Sequence, residues 1–257
     1  MNNLLNKKGF ISDMDGVIYH GNKVLDGVVE FVNWMIDNDK KFVFLTNSPE
    51  KTPHELSMKL ERMGLKVSAE HFYTSAMATA AFLSNQKPGC TAYVIGEGAL
   101  SKALYDQGIY MNDVNPDYVV VGETRTYSFE KIEKAIELVL KGAKLIGTNP
   151  DITGPTEKGL MPATGSLIAP IEIATGKKAY FVGKPNPLML RHGLNKLDCH
   201  SEEIAFIGDR MDTDIIAGIE SNVDTVLVLS GVTSMEDIDK FPYRPKYILD
   251  NVGEILK

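Results

Sequence analysis

Short apolar runs and longer amphipathic stretches alternate along this chain. Gly9-Phe10-Ile11, Phe42 to Leu45, Ala179 to Val182, Ile204 to Ile207 and Thr225 to Leu229 are solid runs without inner-face alternation. Runs of that kind predict strands buried on both faces, the form taken in parallel sheets. Between the first two, residues 26 to 38 place Val28, Phe31, Val32, Met35 and Ile36 on one helical face. Thr52-Pro53-His54-Glu55 reads as the start of the next helix, with Thr as N-cap, Pro at the first position and Glu three after the cap. Gly64 stops it. Phe72-Tyr73 is a weak strand, and Ser75 to Leu83 a helix.

After Gln86-Lys87-Pro88-Gly89 the alternation restarts. Strands are expected at 91–95, 118–121 and 145–147, and helices at 99–105 and from a Ser128 cap to Gly142. Thr148 to Gly165 is rich in Gly, Pro and Thr, lacks periodicity and reads as a long loop, a form that is often functional. A short helix over 167–174 follows, then a helix ending at Leu197, a helix over 213–221 and an edge strand at 247–249. Repeated strand–helix units predict an α/β fold: a doubly wound, parallel-sheet, Rossmann-like core. The expected division is a core of 1–83 and 177–257, with 84–176 inserted as a smaller α/β cap domain. No short sequence repeat is present.

Composition narrows the partners. The 257 residues carry a net charge of -7 and no basic run, which argues against nucleic acid. A small anionic substrate stays compatible, because a local field can oppose the global charge. Cys90 and Cys199 form neither a zinc pattern nor a disulfide framework, and nothing reaches membrane-spanning length. A cytoplasmic protein without a membrane partner is expected, and the sequence allows a homo-oligomer. The scattered histidines read as surface or structural residues, and Trp34 as packing.

The chemistry gathers at strand ends, where ligands of such sheets bind. Asp13-Met14-Asp15-Gly16 follows the first strand, Thr46-Asn47 the next, and Gly208-Asp209 a later one; Asp214 lies one turn beyond, and Lys184 follows a strand. Four carboxylates on one rim repel unless a cation or proton lies between them. Oxygen-only ligands favour Mg²⁺ over zinc. Lys and Thr suit phosphate oxygens, a carboxylate can attack phosphorus, and a second can move the proton.

Asp13-x-Asp15-Gly16-Val17, Leu45-Thr46-Asn47, Lys184 and Gly208-Asp209-x-x-x-Thr213-Asp214 resemble, in order and spacing, the four signature motifs of the haloacid-dehalogenase-like phosphohydrolases. Val94 to Leu100, Val121 to Arg125, Thr148 to Asp151 and Val182 to Pro185 look like the NagD-type, p-nitrophenyl-phosphatase-like subgroup, which carries a large α/β cap. The resemblance implies a Mg²⁺-dependent phosphatase acting on a small phosphorylated metabolite (a nucleoside monophosphate, a sugar phosphate or p-nitrophenyl phosphate). Asp13 would be the nucleophile, forming an aspartyl-phosphate, and Asp15 the general acid/base. Asp13, the Asp15 main-chain carbonyl and Asp209 would ligate Mg²⁺, with Asp214 supporting the metal from behind. Thr46, Asn47 and Lys184 would bind phosphate, and Asn149 and Asp151 would contribute to substrate binding. Ser12 departs from the usual apolar residue before the nucleophile. The alternative from another class is a phospho-acceptor signalling module resembling a receiver domain, in which the phosphorylated Asp is a switch without turnover; a large insertion argues against it. A catalytically dead small-molecule binder is a third reading.

Overall fold

A computed structural model of the chain describes residues 2–156 and 159–257 and divides into two compact units. The first holds Met1–Thr46, Pro53–Tyr73 and Lys184–Lys257; the second holds Asn47–Thr52 and Thr74–Gly183.

The apolar runs of the first unit form a six-stranded sheet in the order Tyr247–Leu249, Asp224–Val228, Ile204–Gly208, Gly9–Ser12, Lys41–Thr46, Phe72–Thr74. The registers from the first through the fifth are parallel. Gly9–Ser12 and Ile204–Gly208 are buried along their whole length, as a doubly covered sheet demands. Helix Val28–Asp37 turns Val28, Phe31, Val32 and Met35 inward, and Phe31 meets Phe10 edge-on at 5.3 Å. Trp34 packs on both rings. Helix Pro187–Leu197 brings Gly193 so close that a Cβ there would lie 3.0 Å from Ile11 of the sheet.

The sheet order carries the functional consequence. From Gly9–Ser12 the chain proceeds outward in one direction; the strands from Ile204 onward proceed in the other. Order therefore reverses between the two central strands, the position at which open α/β sheets bind ligands beyond their carboxyl ends. Asp13 and Asp209 are the first residues past those two ends.

The second unit has its own parallel sheet, ordered Tyr180–Phe181, Lys144–Gly147, Tyr118–Val121, Thr91–Ile95, Tyr110–Met111. Helices Phe129–Leu140 and Thr164–Thr175 cover one face through Ala135, Leu138, Val139, Leu167, Ile168 and Ile171. Ser128 caps the first of these by accepting the Lys131 N–H. This unit is wider than 84–176. Helix Ser75–Gln86 belongs to it, because Phe82 stacks on Tyr180 at 5.0 Å. Tyr180–Phe181 belongs because it pairs with Ile146 and Gly147. The stretch expected to be an aperiodic loop contains an antiparallel pair, Thr153–Thr156 with Gly159–Pro162; residues 157 and 158 of that stretch lie outside the described residues. Among the described residues no helix is long and apolar enough to cross a membrane.

Candidate active site

The Asp13 N–H donates to the Ile207 carbonyl at 2.8 Å, which pins the residue after one central strand to the tip of its neighbour. The chain then turns sharply. The Met14 carbonyl accepts from Val17, Ile18 and Tyr19, and Gly16 takes φ +79, a left-handed conformation that strains any side chain. A Cβ at Gly16 would lie 2.4 Å from Asp209 Oδ2, and one at Gly231 2.0 Å from the same atom. Both positions need glycine because the main chain passes against that carboxylate. Asp209 Oδ2 accepts from the Val232 N–H at 2.8 Å.

Beyond Asp209 the chain winds through a single π turn, Met211–Ile215, before helix Ile216–Glu220. Such wide turns recur at functional sites. Here the turn carries Asp214 back over Gly208, where a Cβ would come within 2.2 Å of the Asp214 side chain. The Arg210 N–H donates to Asp214 Oδ2 at 3.2 Å. Lys184 enters just before a helix whose N-cap, Asn186, accepts the Leu188 N–H at 3.1 Å, with Pro187 opening the first turn. Lys184 is 2% exposed. It donates to Asp13 Oδ1 and, at 2.8 Å, to Asp214 Oδ1.

One carboxylate oxygen from each of Asp13, Asp209 and Asp214 lies within 4.8 Å of the others. Thr46 is buried at the end of the strand flanking Asp13. Asp15 accepts from the Tyr19 hydroxyl at 3.1 Å. The first unit thus brings Asp13, Lys184, Asp209 and Asp214 together, with Asp15 two residues from Asp13.

The electrostatics follow from this crowding. Burial pushes the Asp13 carboxyl well above the usual range, Lys184 opposes the shift, and Asp214 and Asp209 add to it. Burial also raises Asp15 against the pull of Lys59 and the Tyr19 hydrogen bond. Burial and Asp214 push Asp209 up to about 7, with the Val232 N–H and Lys184 pulling back. Burial alone would lower Lys184, but Asp13 and Asp214 raise it above the ordinary lysine range. A nest of carboxylates with one ammonium among them suits a further cation and an oxyanion.

Asn47, Asn149 and Asp151 lie in the second unit, in a polar cluster of their own. Asp151 Oδ2 accepts from the Asn47 amide at 2.7 Å and the Asn149 amide at 2.8 Å. Asn149 is fully buried. It also donates to Glu123 at 3.3 Å and accepts from Thr164 and Thr148 at 2.8 Å each. Glu123, 9% exposed, is raised to about 7 by burial and by Glu50 and Asp151, against hydrogen bonds from Asn149 and Ser48. Sequence reasoning did not single out Glu123 as a functional carboxylate; its signal was its place just past the strand Tyr118–Val121. It also missed Tyr19, four residues beyond Asp15, and Gly231, which nothing local marks.

Two of the histidines pack on aromatic rings: His71 stacks on Phe42 at 3.9 Å and His192 on Tyr73 at 5.5 Å. Cys90 is buried and Cys199 half-buried, both as free thiols.

Comparison with known proteins agrees with this geometry. A haloacid dehalogenase-like hydrolase family model matches residues 10–110, and a HAD-hydrolase-like model matches 181–255. Dihydroxyacetone phosphatase of Corynebacterium glutamicum (strain R) is 46% identical over 246 residues, 96% of this chain and 90% of that protein. Ribonucleotide monophosphatase NagD of Escherichia coli (strain K12) is 47% identical over 248 residues, 96% of this chain and 98% of that one. The solved structure of E. coli NagD matches with a TM-score of 0.92 at 46% identity, covering 97% of this chain and 98% of its own. A glycerol phosphate phosphatase from Mycobacterium tuberculosis, solved in complex with magnesium, also matches with a TM-score of 0.92, at 28% identity over 99% of this chain and 77% of that one. With motifs, sheet order and near-full-length relatives in agreement, the chain belongs to the haloacid-dehalogenase-like hydrolases, in their NagD-type, p-nitrophenyl-phosphatase-like group, and is a phosphoric monoester hydrolase.

Proposed function

We propose that the enzyme hydrolyses small phosphomonoesters in two displacements through Asp13. The observation that carries this reading is the meeting of Asp13, Asp209 and Asp214 within 4.8 Å, with Lys184 bonded to Asp13 and Asp214. The Thr46 hydroxyl and the Lys184 ammonium hold phosphate oxygens, and Asn47 adds its main chain beside Thr46. An Asp13 carboxylate oxygen attacks phosphorus as the ester P–O bond breaks. Asp15, steadied by Tyr19, gives its proton to the leaving alcohol. Asp15 then takes a proton from water, which attacks the same phosphorus. Phosphate leaves and the Asp13 carboxylate is restored.

The donor set fits Mg²⁺: oxygen atoms only, converging from Asp13, Asp209 and Asp214; Asp13, Asp209 and the Asp15 main-chain carbonyl would hold the ion, with Asp214 supporting them. Bound there, Mg²⁺ neutralises charge on the phosphate and on the carboxylates. The M. tuberculosis relative, solved with magnesium, supports this assignment.

Two relatives of nearly equal identity carry names for a triose and for ribonucleotides. Identity therefore favours the class of small phosphomonoesters over any single member. Hydrolysis is favoured over phosphoryl transfer for the same reason, since both relatives are phosphatases. The receiver-like alternative lapses with family membership. Two free thiols suit a reducing cytoplasm.

The test is phosphate release from a panel of phosphomonoesters with Mg²⁺, compared with Asp13→Asn, Asp15→Asn and chelator-treated protein. Repeated turnover by the wild type, lost in all three controls, is expected. Turnover that survives chelation would remove the metal assignment, and turnover in Asp13→Asn would remove the nucleophile.

A further inference from the structure

The polar cluster of the second unit holds together the chain segments that lead into the phosphate-binding residues. Asn47 is one peptide bond from Thr46, and Gly183 is one from Lys184. The Gly183 N–H donates to the Thr148 carbonyl at 2.7 Å. A Cβ at Gly183 would lie 2.6 Å from that oxygen and 2.8 Å from both Asn149 Cβ and Asn47 Oδ1. The two segments therefore touch, with no room for one methyl group. The Asn47 carbonyl accepts from the buried Ser75 hydroxyl, two residues after Tyr73, where the chain again passes from the first unit to the second. Two further passages of the chain are thus bonded to, or packed on, Asn47.

Asn47 and Asn149 are held in turn by carboxylates. Asp151 accepts from both amides, and Glu123 accepts from the Asn149 amide and from the Ser48 hydroxyl at 3.3 Å each. Glu123 reaches both Asn149, whose Cβ lies against Gly183, and Ser48, the residue after Asn47.

We propose that Glu123 is a positioning residue: through Asn149 and Ser48 it fixes the segments bearing Asn47 and Gly183, and so sets the placement of Thr46 and Lys184 for phosphate. This rests on the phosphatase reading above and adds a residue that acts through Asn149 and Ser48. Removing the carboxyl takes from the buried Asn149 amide one of its two carboxylate acceptors and from the Ser48 hydroxyl the acceptor at 3.3 Å, so the tie between the two segments through residue 123 is lost. The phosphate-binding pair then loses its fixed spacing, while Asp13, Asp15 and the metal-binding carboxylates keep theirs.

The test uses the full chain with Mg²⁺ and inorganic phosphate as the probe. In Glu123→Ala, KM for a phosphomonoester and the inhibition constant of inorganic phosphate should rise together, by about tenfold, which corresponds to about 1.4 kcal/mol. The Mg²⁺ concentration for half-maximal activity should stay at the wild-type value. Glu123→Gln keeps an acceptor for Asn149 and should restore both constants to within about twofold. Glu123→Asp, shorter by one methylene, should behave like Glu123→Ala, and it carries the test if the alanine variant does not fold. KM and phosphate inhibition unchanged in Glu123→Asp and in folded Glu123→Ala would overturn the inference. Failure of the wild type to turn over would instead overturn the phosphatase reading.

Discussion

Single residues divide the work at this site unequally, and substitutions should show it. Under the proposed mechanism, in which Asp13 attacks phosphorus and Asp15 moves the proton, Asp13→Asn removes the attacking oxygen and is expected to lower kcat by more than about 10⁴-fold. Asp15→Asn removes proton transfer only and should cost about 10²–10⁴-fold. Steady-state phosphate release measures both. Lys184 contributes in a second way: its ammonium lies between Asp13 and Asp214. Lys184→Met leaves buried carboxylates uncompensated and should destabilise the metal-free protein by about 3–5 kcal/mol. Thermal melting should show that loss shrinking when Mg²⁺ is added, because the cation supplies the missing charge. Glu123 gives a pH signature. Its folded-state pKa is raised from 4.5 to about 7 by burial, Glu50 and Asp151. A carboxyl raised on folding adds stability below its unfolded pKa and loses it as pH rises through the folded value. Wild-type stability should therefore fall between about pH 5 and 8 relative to Glu123→Gln, by roughly 2–3 kcal/mol at full ionisation. Chemical denaturation across that range reads the difference. The acidic residues of the first unit were legible in the sequence because each follows an apolar strand. Glu123 also follows an apolar strand but was not singled out, because its partners Asn149 and Ser48 lie 26 and 75 residues away in sequence and only the fold gathers them.

Elements place these residues, and glycines decide how closely. Gly231→Ala would put a Cβ 2.0 Å from Asp209 Oδ2, an atom already held by the Val232 N–H. Asp209 must move, so the Mg²⁺ requirement should rise by about 10–100-fold with little change in KM at saturating metal. Titration of activity against Mg²⁺ checks this. The central strands were readable because doubly buried strands need unbroken apolar runs. Helix Phe129–Leu140 was readable from Ser128 and its apolar stripe. The π turn at Met211–Ile215 was not: the pattern from residue 213 onward has a helical period, and the widening before it depends on packing over Gly208. The Thr153–Pro162 hairpin was hidden for another reason, since its Gly and Pro content argues against strands.

At the scale of the whole molecule, the parallel α/β class followed from the alternation of runs. The edges of the second unit did not, because they depend on Phe82 stacking on Tyr180 and on the pairing of Tyr180–Phe181. The reversal of strand order between Gly9–Ser12 and Ile204–Gly208 makes Asp13 and Asp209 neighbours across nearly two hundred residues of sequence. A ligand joining those strand ends should stabilise the first unit as a body. Mg²⁺ at about 100 times its dissociation constant should raise the melting temperature by about 5–10 °C, and Asp209→Asn should abolish the rise.

The stereochemical course at phosphorus tests most directly whether the phosphoryl group passes through Asp13. A phosphorothioate monoester made chiral at phosphorus with oxygen isotopes is hydrolysed in isotopic water and the configuration of the released thiophosphate is determined. Two in-line displacements, the first by Asp13 and the second by water, predict retention. Inversion, the mark of direct attack by water, would contradict it.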